Sequence, residues 1–140
     1  MAIPSELLEI GTSFEQKYQP VLDFEGWRVA MLRHCDDVDP EKFNQAERHN
    51  ETNEVFILTV GTADLIICSG HDDPEDIYVI NMVHNVAYNI PRSVWHHVLM
   101  STDAHIILFE RTNTGPDNSD YAKFTERQCE EIRSSACLCP

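Results

Sequence analysis

The feature that most constrains this chain is a hydrophobic period of two. From Trp27 onward, Trp27, Val29 and Met31 fall on one face and Arg28, Ala30 and Leu32 on the other, the repeat of an extended strand. Further strand-like segments follow at 54–60, 64–68, 77–82, 86–90, 97–100 and 105–110. Between them lie turn-forming residues: Gly61, the acidic stretch 70–76, Asn85, Pro91-Arg92-Ser93 and Ser101-Thr102-Asp103. Short strands at roughly ten-residue spacing predict an all-β sandwich or barrel. No helical stretch separates them, which argues against a parallel βαβ sheet.

The flanks read differently. Leu7, Ile10, Phe14 and Tyr18 recur at three- and four-residue steps and predict a short helical lead-in over 1–20. Thr12 and Glu15 form a possible capping box, and Pro20 is the stop. From Asn113 to Asp120 the composition turns polar around Gly115-Pro116, which predicts the end of the compact part. A short helix is expected around Tyr121–Ile132, and residues 134–140 read as a loose tail. The expected organisation is therefore a lead-in at 1–20, a single domain at 21–115, and a helix and tail at 116–140. A chain of 140 residues with 42% hydrophobic content can bury one core.

Charge narrows the partners. Ten Lys+Arg against 24 Asp+Glu give a formal net charge of −14, which argues against nucleic acid and anionic membrane surfaces. No apolar run approaches the roughly 18 residues of a membrane span. The opening residues, Met-Ala-Ile-Pro-Ser-Glu, lack a basic and an apolar region, so no secretory signal is expected. The five cysteines, Cys35, Cys68, Cys129, Cys137 and Cys139, then read as free thiols of a cytoplasmic protein.

Two segments carry the chemistry. The first runs Glu47-Arg48-His49-Asn50-Glu51-Thr52-Asn53-Glu54, then six residues, then Gly61. The second is Pro91-Arg92-Ser93-Val94-Trp95-His96. On a β scaffold Glu47 and His49, two apart, share a face. His96 shares its face with Val98 and Met100, whereas His97 lies with Trp95 and Leu99 on the other. Two imidazoles and one or two carboxylates suit Fe, Mn, Zn, Ni or Cu(II).

These segments resemble the two motifs of the cupin superfamily. The first motif is His-x-His, three or four residues, Glu, six residues, Gly. His49, Glu54 and Gly61 fit its second half. The second is Gly, five residues, Pro-x-Gly, two residues, His, three residues, Asn. Pro91 and His96 match it, while Asn85, Ser93 and Met100 stand where the glycines and the final Asn belong. The resemblance implies a double-stranded β-helix, or jelly-roll barrel, with its site inside.

The departures leave the function open. The first ligand histidine of a typical cupin falls on Glu47. A carboxylate can ligate, so Glu47, His49, Glu54 and His96 are the candidate set for one divalent ion (Fe, Mn, Zn or Ni). The same four are the candidate catalytic residues. In a metal-free pocket Glu47 or Glu54 would be a general base, its pKa raised by burial. The resemblance thus implies a metal-dependent enzyme acting on a small polar metabolite. The alternatives are a metal-free lyase, dehydratase or isomerase with a His/Glu acid–base pair, and a non-catalytic ligand-binding cupin. A homodimer is expected, with Trp27–Leu32 as the pairing edge.

Other residues have plainer readings. Trp27 and Trp95 read as core. Arg28 and Arg48 read first as surface and second as anchors for a substrate carboxylate. The acidic run 72–76 reads as a hairpin loop rather than a calcium site.

Overall fold

A computed structural model describes residues 2–138. Its strands are β1 (Tyr18–Phe24), β2 (Trp27–Arg33), β3 (Gln45–His49), β4 (Glu54–Val60), β5 (Ala63–Cys68), β6 (Ile77–Asn81), β7 (Ala87–Ile90), β8 (Trp95–Met100), β9 (His105–Arg111) and β10 (Ser119–Lys123), followed by helix α1 (Glu126–Ser135). They form two five-stranded sheets, ordered β1-β2-β9-β4-β7 and β10-β3-β8-β5-β6, with every pairing antiparallel. From β7 onward successive strands alternate between the sheets. This crossing makes a jelly roll, the all-β cupin architecture expected from the sequence. No helix among the described residues is long and apolar enough to cross a membrane.

Two apolar layers explain the patterning. Inside the barrel, Leu32, Phe56, Leu58, Leu65, Val98 and Ile106 pack together. Outside the second sheet, Trp95, Leu99, Ile66, Phe43, Phe124 and Ile132 pack under α1. Strands β5 and β8 are covered on both faces, so they read as continuous apolar runs, whereas β4 and β9 alternate. Helix α1 starts at a capping box: Thr125 Oγ1 accepts the Gln128 N–H, and the Gln128 side chain accepts the Thr125 N–H.

The motif glycine has a structural reason. Gly61 lies at φ +77°, and a Cβ there would sit 2.6 Å from Ala104 Cα. Gly61→Ala is expected to cost at least about 2 kcal/mol, read by denaturant unfolding, because backbone strain and a clash add. The two other glycine positions of the motifs hold non-glycine residues in the same left-handed region: Asn85 at φ 63° and Ser93 at φ 64°. The backbone of the pattern is kept although its side chains are not.

Several expectations need correction. The lead-in is not helical: residues 5–7 form a turn and no helix follows before β1. Leu7, Ile10 and Phe14 are 73%, 78% and 78% exposed, so the apolar stripe buries little, and a short helix without such burial is marginal in water. In place of the Thr12–Glu15 box, Ser13 Oγ accepts the Glu15 N–H. Pro20 sits within β1 at a register irregularity in an edge strand, a position that tolerates a missing donor. Segment Trp27–Leu32 is not an edge: β2 is paired on both sides, and β1 is the outer strand. The polar stretch after Asn113 does not end the barrel, because β10 pairs with β3 in full. The sheets therefore run from Tyr18 to Lys123, beyond the expected 21–115 on both sides. The helix begins after β10 rather than at Tyr121. The start of the tail is held down: Ala136 is buried and the Leu138 N–H donates to buried Asp64 at 3.0 Å. Cys35, Cys68, Cys129 and Cys137 are free thiols, and Cys139 lies outside the described residues.

Candidate metal and active site

The site is built where the two sheets face each other. Strand β3 alternates its side chains: Ala46 and Arg48 face the outer layer, and Glu47 and His49 face the barrel. Strand β8 places His96 opposite Glu47 by direct register. Strand β4, in the other sheet, begins with Glu54. The four side chains each offer one donor atom, and these atoms lie within 4.8 Å of one another. They line a cavity of about 730 Å³.

Glu54 is the hub. Its Oε2 lies 3.0 Å from His96 Nε2 and 3.2 Å from His49 Nε2. Glu47 Oε1 lies 3.9 Å from His49 Nε2 and 4.0 Å from His96 Nε2. The far side of each imidazole is fixed. His96 Nδ1 bonds the Val94 carbonyl at 2.9 Å, which can only accept, so that nitrogen carries a proton and Nε2 faces the cavity. His49 Nδ1 bonds Ser119 Oγ at 2.7 Å.

Electrostatics follow from this geometry. Burial pushes the Glu54 carboxyl up, but hydrogen bonds from both histidines overcome that and hold it at about 2. Burial pushes His49 and His96 down, yet the hydrogen bond and charge of Glu54 outweigh it and both end above the ordinary imidazole value. Glu47 is raised, first by loss of water, with Glu54 adding to it and His96 and His49 opposing. In metal-free protein the histidine contribution to stability is complete below the unfolded value of 6.5 and lost as pH rises through the folded values. The Glu54 contribution is present above 4.5 and lost as pH falls toward about 2. Metal-free protein is therefore expected to lose stability as pH rises beyond 6.5, checked by thermal melts across pH.

The donor set fits a divalent cation. The four nitrogen–oxygen separations, 3.0 to 4.0 Å, lie within the span of a coordination sphere with bonds of about 2.1 Å, and all four donor atoms fall within 4.8 Å of one another. Both histidines have the outer partner that orients metal-bound imidazoles. Ser119 was not foreseen, because its strand is polar and lacks an apolar alternation. Ser119→Ala is expected to weaken divalent-metal binding about tenfold with the fold intact, read by competition titration against a chelator.

A second group shares the cavity. Glu110 follows Ile106 and Leu108 on the inward face of β9, and that carboxylate at the end of an apolar alternation was the signal available in the sequence. Tyr18 Oη donates to Glu110 Oε1, and Arg28 Nη1 lies 3.9 Å from the same oxygen. Burial, reinforced by the charge of Glu54, pushes Glu110 up to about 7. Of the remaining candidates, His97 also borders the cavity and the others lie elsewhere. Arg48 packs over buried Trp95 at 4.3 Å and bonds Asp120 at 2.8 Å, outside the cavity. Trp95 is core, while Trp27 is 47% exposed. His97 Nε2 bonds the Asp37 carbonyl at 2.8 Å and its ring stacks on Phe43. Residues 69–76 join β5 to β6 as a loop closed by the bond from Ser69 N–H to the Asp76 carbonyl.

No family model and no curated protein sequence matches the chain. Solved structures do resemble it. A Streptomyces PAC13 variant with uridine superposes with a TM-score of 0.56 at 8% identity, covering 84% of this chain and 86% of that one. The structure described as Pac13, a unique nucleoside dehydratase, gives 0.55 at 7%, covering 82% and 95%. A cupin-2 domain protein from Shewanella frigidimarina gives 0.47 at 20%, covering 70% and 84%. At these identities the likeness concerns the fold.

Proposed function

Taking the cupin barrel as the premise, we propose that the chain is a metal-dependent enzyme acting on a small polar metabolite held in the barrel. The observation that carries this reading is the convergence of Glu47, His49, Glu54 and His96 within 4.8 Å, with both outward imidazole nitrogens already bonded. These four residues would hold one divalent ion, with Fe, Mn, Zn or Ni compatible with the mixed donor set. When bound, such an ion supplies Lewis acidity toward a substrate oxygen. The protein's own contributions are separable. Ser119 and the Val94 carbonyl fix the imidazoles, and Glu54 holds both Nε2 atoms toward the cavity. Glu47 is the most exposed of the four at 37% of its side chain, so it is the carboxylate best placed to exchange a proton with a bound substrate.

A second reading rests on the contacts at 3.0 and 3.2 Å, which are hydrogen bonds in metal-free protein. In that state Glu54 and the histidines form an acid–base cluster able to serve a lyase, dehydratase or isomerase. The resemblance to a nucleoside dehydratase belongs to this reading, although 7% identity does not carry a reaction across. A substrate screen on His96→Ala and Glu54→Gln separates enzyme from ligand-binding protein. Turnover lost in both, and dependent on an added divalent ion in the wild type, supports the first reading. Ligand binding with no turnover in any form contradicts catalysis. Self-association belongs to the same reading, through the outer edge of β1 rather than β2. A monomer by light scattering at micromolar concentration contradicts it.

A further inference from the structure

Among the described residues lining the cavity, three side chains are formally basic: Lys17, Arg28 and Lys42. Two are already neutralised at the rim. Lys17 Nζ lies 2.8 Å from Glu15 and Lys42 Nζ 2.8 Å from Asp36, and both side chains are more than half exposed. Arg28 differs. Its side chain is 14% exposed and stands across β2 and β9 from Glu110 by direct register. Its contacts do not satisfy it. Nη2 donates to the Thr112 carbonyl, and Nη1 makes a long 3.3 Å bond to Tyr18 Oη. Glu110 stays 3.9 Å away, its Oε1 occupied by the Tyr18 hydroxyl, and Arg28 Nε is buried without a partner. A guanidinium has five donors and keeps its charge at any relevant pH. Left buried with Nε unfilled and Glu110 no nearer than 3.9 Å, it is only partly compensated for its lost water, and an anion would complete that compensation.

We propose that Arg28 is the anchor for a substrate carboxylate in the barrel, so that the metabolite is a small organic acid. The proposal rests on the reading of Glu47, His49, Glu54 and His96 as the reacting end of the same cavity. It also answers the charge problem. A molecule at −14 with five carboxylates lining its pocket repels an anion unless a buried cation receives it. Arg28 is the deep group of the lining whose positive charge does not depend on pH. A carboxylate fits better than a neutral amide of the same shape because it brings an opposite charge and two acceptor oxygens to the guanidinium fork.

The test uses the full-length, metal-free protein, so that a probe cannot bind by chelating an ion. Short-chain hydroxy acids and their isosteric primary amides are titrated by NMR. The expected result is that at least one acid binds about tenfold or more tighter than its amide, in keeping with one charged hydrogen bond. Arg28→Gln should erase that preference by weakening the acid far more than the amide. Where Arg28→Gln loses its fold by circular dichroism, Arg28→Lys is used, and the preference should shrink because the planar fork is gone. Divalent-metal affinity is measured beside it and should be the same in wild type and variant. Equal binding of acids and amides, no binding of any acid, or a preference that survives both variants overturns the proposal. Failure of wild-type protein to bind metal overturns the metal reading instead, and leaves the carboxylate result standing.

Discussion

Glu54→Gln should lower divalent-metal affinity roughly 100-fold or more, beyond the loss typical of an outer-shell partner. Glu54 supplies the oxygen nearest to both imidazoles, at 3.0 and 3.2 Å, and is 4% exposed. An amide keeps the shape and removes the charge. One arm of the amide is also a donor, and it would face an Nε2 that must present its lone pair to a cation. The same variant has a second signature in metal-free protein. Glu54 is the largest influence raising His49 and His96 against their burial, so without it both should fall. The loss of stability above pH 6.5 should therefore flatten in Glu54→Gln. Thermal melts across pH detect this independently of any metal, and a variant with the wild-type slope would contradict the hub role of Glu54.

Trp95→Ala should be the most destabilising of these substitutions, at about 3–5 kcal/mol, because it empties a fully enclosed indole site. Trp95 neighbours His96 in sequence but points the other way, into the layer formed with Phe43, Ile66, Leu99, Phe124 and Ile132 beneath α1. Its removal also strips the platform under the Arg48 guanidinium, 4.3 Å away. Chemical denaturation measures the loss. Metal affinity at a temperature where the variant remains folded should stay within about threefold of wild type, since every donor atom sits on the opposite face of the sheet. A large drop in metal affinity with little change in stability would instead place Trp95 in the site.

The fold was legible wherever one face of a strand meets the apolar interior. Strands β4, β5, β8 and β9 alternate or run apolar because Leu58, Leu65, Val98 and Ile106 fill the barrel. Three strands were hidden, each for a physical reason. The inward residues of β3 are Glu47 and His49, and those of β10 are Ser119 and Tyr121, so these two strands carry no hydrophobic alternation. Strand β1 holds Pro20, which reads as a breaker but is tolerated on an edge. The lead-in misread has the opposite cause. Leu7, Ile10 and Phe14 show helical spacing, yet periodicity cannot report whether a surface exists to bury it. Within the site, the resemblance to the two cupin motifs brought Glu47, His49, Glu54 and His96 together on paper, and the barrel brings them together in space. The spacing could not show Ser119, Tyr18 or Glu110, because their roles depend on pairing between strands far apart in the chain.

The most direct test of the central claim is elemental analysis of freshly purified protein, repeated after reconstitution with Mn, Fe, Zn or Ni salts and gel filtration. About one equivalent of a divalent metal per chain is expected in wild type, with a marked deficit in Glu54→Gln and His96→Ala. Less than about a tenth of an equivalent after reconstitution, or equal retention by wild type and both variants, would contradict the assignment of Glu47, His49, Glu54 and His96 as a metal site.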